Sequence, residues 1–181
     1  MQELAPFSSV LGIAPTEDAA VVRTVEIVSA VRQNVVALVD GDPAGDGYAE
    51  ELAGTAIPPR ATVQWPAHHT IEDMVGWILC ADEGSSLATT QAEFGGTWTF
   101  GSIGELISIL KTRNDKPKGI VGLKEDSVAH EVLAGVIHES TKCRGRCAAL
   151  LDALVAASSS SPHALIVSTL TNPRRYRVIA A

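Results

Sequence analysis

Asp40-Gly41-Asp42 closes the apolar run "NVVALV", and its two carboxylates are the first feature of the chain that could do chemistry. In extended backbone, aspartates two positions apart lie on the same side of the strand. Gly41 between them lets the chain turn at once, so that both carboxylates could converge on one cation. Hard divalent ions such as Mg²⁺ take carboxylate oxygens and keep several waters. The same triplet, followed by Pro43 and Gly45, also fits a plain turn with a helix cap.

Two further stretches carry candidate chemistry. In "HHTIEDM" (68–74), Thr70 is a predicted N-cap, and Glu72 and Asp73 fall in the first helical turn, where the helix dipole favours negative charge. This helix follows a strand-like segment, so its N-terminus should open on the same sheet edge as Asp40. Glu72 there would complete a two-metal cluster. His68 and His69 read as solvated loop residues. Lys124, in "GIVGLKEDSV", stands in an apolar approach from which its ammonium could face a scissile phosphate. Its simpler reading is a surface lysine at a helix start.

The elements that must position these residues are legible in order. Thr16 is the expected cap of a helix over 17–33, with Val21, Val25, Val28 and Val31 at helical spacing. "NVVALV" does not alternate, as expected of a central parallel strand buried on both faces. A short helix over 44–54, closed by Gly54, leads to a second strand, "ATVQW", ended by Pro66. The helix from Thr70 to Ala81 should turn Met74, Trp77, Ile78 and Cys80 or Ala81 inward. Residues 82–102 are polar and glycine-rich and read as a long loop. Helices follow from Ile103, over "IGELISILKTR", "GIVGLKEDSVAHEVLAGVIHES" and "RCAALLDALVAA". After Ser158–Ser161, "HALIVSTL" and "YRVIAA" read as strands joined around Asn172 and Pro173. The expected fold is α/β: an α/β core over 1–100, a helical subdomain over 101–161, and a C-terminal β segment over 162–181 packed on the core.

Composition narrows the functional classes. The 181 residues are 46% hydrophobic and 19% charged, which suits a globular domain with a genuine core. No apolar run approaches the roughly 20 residues of a membrane span, and the N-terminus lacks a signal-peptide pattern; a cytoplasmic protein without membrane partners is expected. Cys80, Cys143 and Cys147 are an odd set that does not suggest a disulfide framework. Cys143 and Cys147 share a helical face, but no second pair of soft ligands completes a zinc site. A net charge of -7 gives no bulk attraction to nucleic acid. DNA would have to be met through metal ions, another domain, or the basic clusters at 111–118 and 172–177.

Taken together, "VVALVDGDPAG", "TIEDM" and "GLKEDSVAHEVL" resemble, in order and spacing over residues 30–140, the Toprim nuclease domain of the overcoming-lysogenization-defect family. The resemblance implies a Toprim-like parallel sheet flanked by helices and a two-metal DNA endonuclease using Mg²⁺ or Mn²⁺. It implies that Asp40, Asp42 and Glu72 are metal ligands, that Thr70 is the hydroxyl residue close to the metals, and that Lys124 stabilises charge on the phosphate. An ATPase domain upstream or in trans is implied as a partner, with a helicase as a further one. The family's earlier apolar–Glu–Gly motif has no counterpart before Asp40, where Glu3 and Glu17 are the early candidates, and no G-x-x-x-x-G-K-[ST] occurs. The expectation is a fragment or shortened member.

Two other readings fit the aspartates. In a haloacid-dehalogenase-like phosphatase, Asp40 would be the nucleophile and Asp42 the acid. In a catalytically inactive interaction module, the acidic edge would be vestigial.

Overall fold

The computed structural model describes residues 14–94, 96, 98–114, 122–159, 167–170 and 174–180. The chain is mixed α/β and divides into two compact units, Met1–His68 with Leu151–Ala181, and His69–Leu150. The boundary at His68/His69 falls inside the stretch 1–100 that the sequence groups as one core.

The first unit holds α1 (Val21–Ser29), β1 (Val36–Val39), α2 (Pro43–Ala53), β2 (Ala61–Gln64), β3 (Val167–Leu170) and β4 (Arg174–Ala180). They form a four-stranded sheet in the order β1-β2-β4-β3. Strands β1 and β2 are parallel, with Val36 opposite Ala61 and Val39 opposite Gln64. The remaining pairings, β2 with β4 and β4 with β3, are antiparallel. Parallel strands need a long crossover connection, usually a helix, which α2 supplies. Helix α2 packs against β1, β2 and α1, and the small core there comprises Val25, Ala37, Val39, Ala49 and Leu52.

Two expectations about this unit are corrected. The "NVVALV" strand is an edge strand and not the centre: Ala37 and Val39 are buried while Leu38 is 38% exposed. The central position belongs to β2, whose four residues are all buried, Thr62 and Gln64 included. An unbroken apolar run marks burial of both faces only when strands lie on both sides of it, and β4 pairs with β2 instead. The first helix is also shorter than 17–33. A 3₁₀ turn over Asp18–Ala20 leads into α1, whose N-cap is Ala20 rather than Thr16. Val31 lies beyond the helix and is 75% exposed.

The second unit contains α3 (Ile71–Leu79), a 3₁₀ turn (Cys80–Asp82), α4 (Glu83–Phe94), α5 (Ile103–Leu110), α6 (Ser127–Glu139) and the start of α7 (Thr141–Ser159), which runs on past the unit boundary at Leu150. Helix α3 packs on α5, and α4 on α6. The core runs through Leu79, Phe94, Phe100, Ile103, Leu106, Leu110, Leu133 and Val136. On α3, Met74, Trp77 and Ile78 turn inward as the spacing predicts, whereas Cys80 is exposed.

The loop expected over 82–102 is largely helix α4. Its buried hydroxyls have partners: Thr90, fully buried, donates through Oγ1 to Ser86 O at 2.8 Å and Leu87 O at 3.0 Å, and Ser86 Oγ lies 3.5 Å from Cys143 Sγ. Helix α6 begins at Ser127, later than the expected 119, because Asp126 caps it by accepting from the Val128 and Ala129 amides. Among the described residues no helix is long and apolar enough to cross a membrane.

Candidate functional site

The Asp40-Gly41-Asp42 turn forms where β1 ends and α2 begins. Pro43 takes the first helical position, where its missing N–H costs nothing. Asp42 is the N-cap, in extended backbone, with Oδ1 accepting from the Gly45 amide at 2.8 Å. The cap reading of the sequence is therefore realised. It engages one oxygen of Asp42; an ionised carboxylate has two oxygens and about four acceptor positions.

Gly41 has a different job from the one its neighbours suggest. A Cβ there would lie 2.0 Å from Pro66 O, and one on Gly45 would lie 1.9 Å from Asp40 O. Both glycines permit backbone to touch backbone. The turn is held from outside as well, since His68 N–H donates to Gly41 O at 2.5 Å. His68 makes this bond from a left-handed conformation (φ 66°), uncommon for a residue with a side chain.

Gln64 also shapes this end of the sheet. Its buried side-chain amide donates to Asp46 Oδ1 at 2.7 Å and to Asp40 O at 3.3 Å. A glutamine closing an apolar strand was the available signal for this residue, and Asp46, four positions after Asp42, was the signal for its partner.

In the second unit, three of the residues singled out by sequence come together at the N-terminus of α3. The Thr70 hydroxyl donates to Glu72 Oε2 at 2.5 Å. Lys124 Nζ lies 3.7 Å from Glu72 Oε1, with the lysine side chain 36% exposed and the glutamate 15%. Beside them is a pair the sequence reading passed over. Lys111 Nζ donates to Asp73 Oδ2 at 2.6 Å, and the same oxygen accepts from the Thr70 amide at 2.8 Å. Burial raises the Asp73 pKa, but the hydrogen bonds from Lys111 and Thr70, with the charges of Lys111 and His69, outweigh it and hold the carboxyl below its ordinary value. Asp73 had a signal, its place three residues after a threonine cap. Lys111 had none, because its partner is 38 positions away.

Lys124 is not a helix-start lysine but part of a turn before α6. The end of α5 fixes that turn: Leu123 N–H donates to Ile109 O and Lys124 N–H to Thr112 O, both at 3.1 Å. Gly122 makes the approach possible, since a Cβ there would sit 1.9 Å from Thr112 O.

No family model, curated protein or solved structure matches this chain.

Carboxylate oxygens, all that Asp40 and Asp42 offer in the first unit and Glu72 in the second, suit Mg²⁺ or Mn²⁺ rather than a soft metal. Within neither unit do three or more His, Cys, Asp or Glu side chains among the described residues gather into a metal-holding group. The cysteines offer no alternative. Cys143 is buried, with Sγ 3.5 Å from Ser86 Oγ, and burial raises the Cys147 thiol pKa, which disfavours the thiolate a metal needs.

Proposed function

We propose that this chain is a metal-dependent DNA endonuclease of the Toprim type that its sequence resembles. One observation carries the reading. Thr70, Glu72 and Lys124, to which the resemblance gives roles at one site, meet through a hydrogen bond and an ion pair although Lys124 comes from a distant turn. The mixed α/β fold, with a parallel pair whose first strand ends in Asp40-Gly41-Asp42, is compatible with it.

In this reading Asp40 and Asp42 are metal ligands and Glu72 is a further one. Two bound Mg²⁺ or Mn²⁺ ions would supply an activated water and stabilise the leaving oxygen of a phosphodiester. The chain's own groups do the rest. Thr70 orients the Glu72 carboxylate by donating to one oxygen, which leaves the other turned toward Lys124. Lys124, about one-third exposed, keeps its ammonium within reach of a substrate phosphate. Partners follow from the same resemblance: DNA as substrate, an ATPase domain upstream or in trans, and a helicase. Three cysteines free of disulfides accord with a reducing cytoplasmic setting.

The test is cleavage of supercoiled plasmid by the purified chain with Mg²⁺, with Mn²⁺ and with EDTA. Nicking is expected with either metal, none with EDTA, and a loss of at least about a hundredfold in Asp40→Asn and Lys124→Ala. Metal-independent nicking, or full activity in both variants, would rule the proposal out.

A further inference from the structure

The Asp73–Lys111 pair lies outside the residues that carry the proposed chemistry, yet it touches the same threonine. Asp73 Oδ2 receives the Thr70 amide and the Lys111 ammonium, while the Thr70 hydroxyl holds Glu72. Lys111 caps the C-terminus of α5. From that same helix end, the Ile109 and Thr112 carbonyls take the amides of Leu123 and Lys124. One short segment, 109–112, therefore reaches α3 twice, directly through Lys111 and indirectly through Lys124.

From this geometry we infer that Asp73 and Lys111 are positioning residues for the Glu72–Lys124 pair; the inference rests on the function proposed above and deepens it. The ion pair fixes the height of α5's end against the first turn of α3. Lys124, hung from that end by its own backbone hydrogen bond and that of Leu123, is thereby set opposite Glu72. The Thr70 amide, held by Asp73, fixes the residue whose hydroxyl sets the Glu72 rotamer. Neither Asp73 nor Lys111 needs to touch substrate. The nearby Arg113–Glu125 pair, with both side chains about two-thirds exposed, joins the residues next to Thr112 and Lys124 rather than α3 and serves as the comparison.

The test uses the full chain and two readouts. The first is the ¹³C resonance of the Glu72 side-chain carboxyl, followed by NMR without metal. The second is plasmid nicking with Mg²⁺. Lys111→Met and Asp73→Asn should both move the Glu72 resonance, whereas Arg113→Gln should not. Lys111→Arg, which keeps a cation for Asp73, should restore the wild-type signal. Nicking should fall tenfold or more in kcat with KM little changed in Lys111→Met, and recover in Lys111→Arg. An unmoved Glu72 signal in folded Lys111→Met and Asp73→Asn, or an equal displacement in Arg113→Gln, would overturn the inference. A Glu72 signal that moves as expected in the variants, beside a wild-type chain that does not nick, would uphold the positioning and remove the nuclease reading instead.

Discussion

Asp42 carries two jobs that a single substitution can separate. Its Oδ1 caps α2 through the Gly45 amide, and its charge is assigned to metal ligation. Asparagine caps helices about as well as aspartate, whereas alanine loses about 1 kcal/mol at an N-cap. Asp42→Asn should therefore unfold in urea within a few tenths of a kcal/mol of wild type, while Asp42→Ala loses about 1 kcal/mol. If nicking is lost in both, the charge is what the chemistry needs. If Asp42→Asn nicks like wild type, Asp42 is a cap and nothing more. At this scale the sequence was informative wherever local chemistry decides. Thr70, Glu72 and Asp42 sit at recognisable offsets from helix starts, and all three occupy the turns expected. Gly41 was readable as a special position but not as a contact with Pro66 O, because nothing local to 40–42 announces what packs behind it.

At the scale of elements, the misreading of α4 shows what hydrophobic patterning cannot see. "EGSSLATTQAEF" has too few apolar residues to read as a buried helix, but its Thr90 hydroxyl bonds back onto the helix carbonyls and so tolerates burial. Thr90 makes this testable. Its Oγ1 shares carbonyls that helical hydrogen bonding also serves, so Thr90→Val removes a hydrogen bond without stranding a buried acceptor. The stability of Thr90→Val should stay within about 1 kcal/mol of wild type in urea denaturation. A loss of 3 kcal/mol or more would mean that the hydroxyl has a role the helix does not share. The edge position of β1 was hidden for a related reason. A strand's own sequence records how apolar it is, whereas its place in a sheet depends on pairings made far away, here those of β2 with β4.

At the scale of the molecule, the sheet is completed from the far end of the chain. Strand β4 pairs with β2 over Ala61–Gln64, and β3 adds to β4, although the residues of the second unit intervene in sequence. The sequence led us to expect the C-terminal β segment on the core, but not its pairing with β2, since antiparallel pairing across such a separation leaves no local mark. The pairing costs loop-closure entropy that only the finished sheet offsets. Strand β2, buried along its length, is the element that gains most from β4. Removing residues 160–181 leaves one edge of β2 without its partner, and a buried amide cannot lack a hydrogen-bond acceptor at low cost. In hydrogen exchange, the β2 amides bonded to β4 should then lose at least a hundredfold of their protection. The helices α3–α6, which surround their own core within 69–150, should keep theirs. Retained protection along all of β2 would mean that the β1–β2 pair and α2 suffice, and that β4 contributes nothing to holding the turn that carries Asp40 and Asp42. Loss of protection in both places would mean instead that the two units fold as one.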